Sequence, residues 1–522
     1  MGASGKLIFT SVLALTLLGC KGKSEKQSGE NQVEIAEDYY TEDYRPQFHF
    51  TPPQMWMNDP NGLVYKQGEY HLFYQYYPED IVWGPMHWGH AVSKDMVYWE
   101  HKPIALYPDE KGYIFSGSAV IDKDNTAGRG SYDNPPMVAI FTYHDNIGEK
   151  AGKNDFQTQG IAFSLDNGNS WTKYEANPVI GNDGIRDFRD PKVFWHEGSN
   201  SWIMVLVAGD HAKFYRSRDL KEWSYISEFG KEQGGHGGVW ECPDLFPLEV
   251  EGSDEEKWVL IISINPNAPN GGSGTQYFIG NFDGTTFSSN QKEARWLDWG
   301  TDNYAGVTYN NVPGDERIFI GWMSNWDYAR DTPTEKWRSA MTVPRELSLK
   351  KNGSSYDLHN YPLDDFGTLF NTEFTENLIV GGEKTHQFTF DHFNESELRF
   401  RTALRDFDLH LKNASGDLLV FSMNSNKKEF SIDRSGSGKV DFSEKFTQRI
   451  QRMPIDNLPE EVFEIRILID WSSIEVFINQ GQYVMTAQIF PNDFYTNLEI
   501  INHHPSDLIL LDFEVSSAES IW

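Results

Sequence analysis

The tightest constraint on this chain is that its apolar residues come in short runs, repeatedly interrupted by turn residues. Tyr70 to Tyr77, Met137 to Tyr143, Trp202 to Ala208, Trp258 to Ile264 and Arg317 to Trp322 are runs of this kind, punctuated by Gly, Pro, Asn and Asp. They have strand length, and no long stretch of helical periodicity separates them. A weak repeat runs through the same region. Ser93-Lys94-Asp95 leads to Trp99, Ser164-Leu165-Asp166 to Trp171, and Ser217-Arg218-Asp219 to Trp223, with a degenerate copy from Asp283-Gly284 to Phe287. The aromatic positions recur roughly every 50 to 70 residues, the size of a four-stranded blade with variable loops. Ser and Asp side chains cap tight turns, so each copy reads as a hairpin turn feeding a strand whose ring packs between sheets. Radial repetition of such units is a β-propeller, predicted here over residues 45–350.

Beyond about residue 355 the repeat stops and alternation becomes cleaner. Ile465 to Ile469, Ile474 to Ile478 and Leu508 to Val515 read as half-buried antiparallel strands, and residues 360–522 as a β-sandwich. Within it, Asp470 to Phe477 is read as a strand-turn-strand element with no chemistry of its own.

The N-terminus is of another kind. Lys6 precedes a short apolar run that ends in Leu17-Leu18-Gly19-Cys20. The run is too short for a stable membrane-spanning helix and has the layout of a secretory signal. Cys20 resembles the lipidated cysteine of a bacterial lipobox; an ordinary signal with a chance cysteine is the alternative. Residues 21–44 are polar and aperiodic and read as a flexible linker. Lys21 after the cysteine favours the outer membrane of a Gram-negative cell, and the absence of an acidic cluster after it favours the periplasmic face.

Charge narrows the function. Asp plus Glu number 77 against 45 Lys plus Arg, a formal net charge of −32, which repels phosphate backbones and excludes nucleic-acid partners. The 17 Trp, 24 Tyr and 34 Phe offer flat rings suited to sugars, although sheet cores absorb most rings in any β-protein. Two cysteines cannot build a disulfide framework or a cysteine zinc site. His87 and His90, three apart on a strand, point to opposite faces and make a poor metal pair. Gly234 to Gly238 lacks the Lys-Ser/Thr and helix of a phosphate loop. No metal or other cofactor is expected.

With so many carboxylates, only those held in rigid turns are informative. Three clusters qualify: Trp56-Met57-Asn58-Asp59-Pro60-Asn61-Gly62, Phe188-Arg189-Asp190-Pro191 and Trp240-Glu241-Cys242-Pro243-Asp244. Asp59 and Asp190 each precede a proline, which biases them towards extended backbone. Taken singly, each reads as well as a turn or strand-end cap.

Together the clusters resemble the three signature motifs of glycoside hydrolase family 32, which includes invertases, inulinases and levanases. Phe73-Tyr74-Gln75-Tyr76, Trp83 to His90, Phe115 to Ser118, Gly321 to Trp326 and Trp337 to Leu347 match in the family's order, and Asp470 to Phe477 matches its C-terminal part. The resemblance implies a five-bladed propeller followed by a β-sandwich. It implies retaining hydrolysis of β-fructofuranosidic bonds in levan, inulin or sucrose. Asp59 would be the nucleophile, Glu241 the general acid and base, and Asp190 the residue that holds sugar hydroxyls and stabilises an oxocarbenium-like transition state. Asn58, Gln75, Trp83, Phe115, Ser116, Arg189 and Trp326 would line the terminal fructose pocket, with Phe115 as wall or contact. Retaining chemistry needs Asp59 ionised and Glu241 protonated. Turn amides are expected to lower Asp59, and an apolar setting beside Trp240 to raise Glu241. Cys242 is read as a small buried hydrophobe.

One departure bears on substrate: where many sucrose-active relatives have Asn after Gln-Tyr, this chain has Tyr77 before Pro78. The pattern lies nearer bacterial levanases and exo-inulinases. A stiff Trp83-Gly84-Pro85-Met86 segment predicts a walled pocket and release of fructose from chain ends. Three readings stay open beside it. An endo-levanase or endo-inulinase would give a ladder of oligomers. A fructosyltransferase would lengthen oligomers at high sucrose. A non-catalytic glycan-binding lipoprotein would release no reducing sugar.

Overall fold

The computed structural model describes residues 39–522 apart from 315, 448, 449 and 460. Cys20, the signal segment and most of the predicted linker lie outside the described residues. Among the described residues the α-helices span only Asn146–Lys150 and Glu444–Thr447; the rest of the regular structure is almost entirely strand.

Five antiparallel sheets of four or five strands follow one another. The first runs through Met55–Lys66, Glu69–Tyr77, His87–Ser93 and Trp99–Leu106, the second through Tyr113–Ile121, Met137–His144, Gln157–Ser164 and Thr172–Lys173. The third comprises Phe188–His196, Ser201–Ala208, Ala212–Ser217 and Ser224–Phe229. The fourth is built on Val239–Glu249, Glu256–Asn265 and Gly274–Phe282, the fifth on Tyr304–Thr308, Ile318–Met323, Arg345–Asn352 and Ser355–Pro362. Each neighbouring pair shares an apolar cluster. Phe73 and Trp88 meet Phe141, Ile140 meets Met204, Val205 meets Leu260, and Ile261 meets Phe319. The last cluster joins Trp322 of the fifth sheet to Trp56 and Leu72 of the first, closing the ring. Parallel pairing of Met55 and Trp56 with Trp337 and Arg338 stitches the same junction. Closure leaves no sheet face without an apolar partner.

The Ser-x-Asp repeat marks the turn between the third and fourth strands in four of these sheets. Asp95 Oδ1 accepts the amides of Val97 and Tyr98, and Asp219 Oδ1 those of Lys221 and Glu222, each at 2.9 Å. Asp166 takes the Ser170 amide and Asp283 those of Thr285 and Thr286. In the fifth sheet the corresponding turn is shorter, between Asn352 and Ser355, and has no room for the motif.

Residues 370–518 form two six-stranded sheets packed over a shared core that includes Leu409, Phe421, Ile467 and Val476. The strands Phe463–Asp470 and Ser473–Ile478 are not half-buried as predicted; from Ile467 onward they are buried on both faces. The second face is taken by the propeller, whose Phe48, Val343 and Phe366 pack against Leu468 and Phe477. Asp470 and Glu475 serve that junction. His49 Nδ1 lies 2.7 Å from Asp470 and its Nε2 3.0 Å from Glu475. Arg345 donates to Glu475, Asp298, Asn360 and Thr486. All five charged groups are essentially solvent-free, so the network holds only while every member is paired.

The packed body begins before the predicted end of the linker. Tyr40 stacks on Trp522 with ring centroids 3.9 Å apart, and the buried Arg45 guanidinium binds Glu42, Thr51 and the Pro52 carbonyl.

Candidate active site

The innermost strand of each propeller sheet carries the same irregularity near its start, two residues facing one on the neighbouring strand. Asn58 and Asp59 face Gln75, Phe115 and Ser116 face Thr142, and Asp190 and Pro191 face Leu206. Cys242 and Pro243 face Ile262, and Ala305 and Gly306 face Gly321. A bulge frees a residue from the ladder and re-aims its side chain. Five at one level turn five sets of side chains into the mouth of the ring. Asp190, Cys242 and Ala305 have φ of 62°, 45° and 54°. For Asp190 this overturns the expected extended backbone. The bulge imposes a left-handed conformation despite the following proline, a local strain of the kind found at functional sites.

The mouth is a cavity of about 420 Å³ lined by Asn58, Asp59, Gln75, Trp83, Phe115, Ser116, Arg189, Asp190, Glu241 and Trp326. Every pocket residue predicted from the sequence is thus brought together. Ser116 Oγ donates to Asp59 Oδ2 at 2.6 Å and Asn58 Nδ2 to Asp59 Oδ1 at 3.0 Å. Asn58 is itself held by the Trp56 indole N–H, 2.7 Å from its Oδ1. The Cys242 thiol lies 3.6 Å from Asp59 and 3.8 Å from Asp190, and the Cys242 amide donates to Asp190 at 3.1 Å. Cys242 is buried as predicted, and it also acts as a weak donor between two carboxylates. Arg189 donates to Asp187 at 2.6 Å and to Glu241 at 2.9 Å, with its Nε 3.7 Å from Asp190. Gln75 spends its amide N–H on the Ile114 carbonyl. Phe115 stacks on His144, with centroids 4.2 Å apart, and so serves as wall.

Electrostatics follow from crowding like charges in a buried place. Burial raises Asp59, and the charge of Glu241 raises it further, against the hydrogen bonds from Ser116, Asn58 and Cys242. Its donors are side chains and not turn amides, and they do not outweigh burial; the expectation of a lowered Asp59 is corrected. Burial pushes Asp190 up to about 7, opposed by Arg189 and assisted by Glu241 and Asp59. Burial and the three carboxylates hold the Cys242 thiol far above its usual range, so it stays protonated. His144 is lowered to about 4 by burial and is neutral. Trp240 turns away from the cavity: its indole donates to the Gly235 carbonyl, and its ring packs on Phe278. Glu241 instead meets Arg189 and the Tyr304 hydroxyl, which donates to Oε2.

Sequence reasoning missed Tyr304, together with the lining residues His144, Glu149, Gln157, Asp187, Asn265 and Arg330. Tyr304 begins the fifth inner strand, after a loop anchored by the sandwich. Asp298 accepts the Thr486 amide at 2.9 Å and Asp302 is paired with Arg434 at 2.6 Å. The only available signal was positional, an aromatic followed by two small residues at the start of an inner strand, and it needs the sheet assignment to be read.

Beyond the bulges the channel is closed. Lys192 Nζ donates to Asp244 at 2.9 Å and to the Thr308 carbonyl at 2.6 Å, and Asn310 ties Ala119 to Val193. These groups are all at most 9% exposed.

Residues 49–362 match the N-terminal domain of the glycosyl hydrolases family 32, and residues 369–517 match its C-terminal domain. The chain belongs to glycoside hydrolase family 32. This family 32 chain is 46% identical over 473 residues to a levanase of Bacillus subtilis (strain 168), covering 88% of this chain and 68% of that one. It is 39% identical over 498 residues to an extracellular exo-inulinase of Aspergillus awamori, covering 87% and 90%. The crystal structure of exo-inulinase from Aspergillus awamori superposes with a TM-score of 0.85 at 35% identity, over 92% of this chain and 100% of that one. A β-fructofuranosidase of Schwanniomyces occidentalis, solved with fructosyl-erythritol, gives 0.79 at 33% identity over 92% and 99%. The family 32 glycoside hydrolase described here is therefore an all-β enzyme, a propeller followed by a sandwich.

Proposed function

We infer that the protein hydrolyses β-fructofuranosidic bonds in fructans and sucrose, and we propose that it does so with retention, from chain ends, releasing fructose. The observation that carries the reading is the convergence of Asp59, Asp190 and Glu241 on one walled cavity, with the Cys242 thiol between the first two and Arg189 tied to the third. Asp59 attacks the anomeric carbon from one side while Glu241 protonates the leaving oxygen. Glu241 then takes a proton from water, which displaces Asp59. Asp190 accepts sugar hydroxyl protons and offsets charge developing on the ring. Arg189 and Tyr304 hold the two oxygens of Glu241, fixing the direction in which its proton is delivered. Asn58, Gln75 and Ser116 read hydroxyls, and Trp83, Phe115 and Trp326 form apolar walls.

End-trimming is supported by Trp83, which stands edge-on to Phe115 and Tyr113 on one side of the cavity. Gly84 beside it packs so close to Tyr77 that a Cβ there would lie 2.4 Å from the ring. An early-time digest of levan and inulin, separated by length, is the test. Fructose as the sole early product is expected, and a ladder of oligomers overturns end action. Asp59→Asn is expected to lose several orders of magnitude in turnover. Glu241→Ala is expected to be inactive on fructans and partly spared on a substrate whose leaving group needs no protonation. Equal losses on both substrates would refute the assignment of the acid.

A lipid anchor at Cys20 is part of the proposal, supported by Leu17-Leu18-Gly19-Cys20. It holds the enzyme at the periplasmic face of an outer membrane. Cys20→Ala is expected to move it into the soluble fraction, and rapid digestion by protease on intact cells overturns the choice of face.

A further inference from the structure

The five inner strands have a second end. The cavity described above opens where they begin; at their far ends lies a larger one, of about 620 Å³, bordered by the ends of strands from all but the first sheet. Lys192, Asp244 and Asn310 close the channel between the two. Six residues separate Asp190 from His196, so the openings stand roughly 20 Å apart along the strand.

The far cavity is lined by rings and by polar groups that lack protein partners. Trp195 and Trp258 are half-buried, and neither indole N–H has an acceptor among the described residues. Arg317 lies over the Phe246 ring at 5.1 Å, and the only hydrogen bond of its guanidinium among the described residues is a long one, 3.4 Å, to the Tyr309 carbonyl. Half-buried indole rings with free N–H groups and an under-bonded guanidinium in one cavity match the alternating apolar faces and hydroxyls of a sugar. Charge selects among ligands. Asp124, Glu197 and Glu256 are exposed at the rim and outnumber the cations Lys123 and Arg317, so an anion is disfavoured, and the charged lining does not suit a lipid tail. No cluster of metal-ligating side chains exists among the described residues.

We propose that this far mouth is a second carbohydrate site that binds a fructosyl segment of the polymer without cleaving it. The choice of polymer rests on the fructan reading above; the site itself does not. Because the channel is closed, the segment held there is a separate stretch of chain or a separate molecule. Binding it tethers the enzyme to its substrate and raises the local concentration of chain ends.

The test uses Trp195→Ala and Arg317→Met in the full chain, with sucrose turnover as the control for folding. Each is expected to raise KM for levan or inulin about tenfold while kcat, and KM for sucrose, stay unchanged. In an otherwise inactive Asp59→Asn background, each is expected to weaken retardation in gels cast with levan or inulin. Polymer KM and retardation both unchanged in the variant that keeps sucrose turnover overturns the proposal. If the wild type cleaved no fructan, the activity reading would fail while the gel arm still decided whether the far mouth binds one.

Discussion

Replacing Asp190 by Asn separates the cost of this site from its use. Asp190 is 5% exposed and titrates at about 7 in the folded protein against an ordinary 3.8. An acid raised on folding contributes stability below its unfolded value, and that contribution is lost as pH rises through its folded value. Between about pH 5 and about pH 7 the unfolded chain carries Asp190 ionised while the native cluster holds its proton. At ~1.4 kcal/mol per pH unit, the residue removes about 3 kcal/mol of stability over that interval. Asn imitates the protonated acid, and its carbonyl can still accept the Cys242 amide. The stability of Asp190→Asn relative to wild type is therefore expected to improve by about 3 kcal/mol from about pH 5 to about pH 8. Urea unfolding of both proteins at the two pH values, followed by tryptophan fluorescence, measures it. At about pH 8, where wild-type Asp190 is ionised, turnover should fall by orders of magnitude, because the variant lacks the charge that offsets the transition state. An offset between variant and wild type that is the same at both pH values would refute the reasoning. It would mean that the cluster does not hold a proton at Asp190 under near-neutral conditions.

Other consequences are equally measurable. Tyr304→Phe removes a donor from Glu241; at ~1.5–3 kcal/mol for a bond to a charged group, kcat/KM on fructan should fall by about ten- to a hundredfold, and an unchanged rate counts against a positioning role. Arg345→Met strands Asp298 without a counter-charge in a dry junction and leaves Glu475 only His49, so a loss of ~3–5 kcal/mol in urea unfolding is expected. His49 is raised to about 9 by Asp470 and Glu475, against the desolvation that opposes its charge, so its stabilisation is present below about 6.5 and disappears as pH passes 9. The stability gap between wild type and His49→Phe should accordingly narrow by about 3 kcal/mol over that range, and a gap independent of pH contradicts the ion pairing.

The fold was legible where a local rule acts alone. Ser-x-Asp turns and interrupted apolar runs depend only on neighbours in sequence, and they located the outer hairpins of four sheets. Rigid stretches near proline singled out the three motif carboxylates, but alone each read equally as a turn cap; it was the resemblance of the three motifs together that grouped them as a site. Longer-range effects were not legible. Pro191 argued for extended backbone at Asp190, and a bulge against Leu206 overrode it. Trp240 follows strand alternation and faces away from the residue it adjoins. Tyr304 reaches Glu241 through a loop whose anchors, Thr486 and Arg434, lie more than a hundred residues further along the chain. The full burial of Ile474 to Ile478 likewise needs the propeller as its second partner, which alternation within the strand cannot announce.

The ion pair of Lys192 with Asp244 makes the catalytic chamber a room with one door. Under the chain-end action proposed above, fructose cannot drain through the floor; it leaves by the opening through which the next end arrives. Departure and arrival therefore take turns, and free fructose in the medium contends with polymer ends for the same entrance. On that reading each cut is followed by withdrawal of the shortened end before the next one can enter.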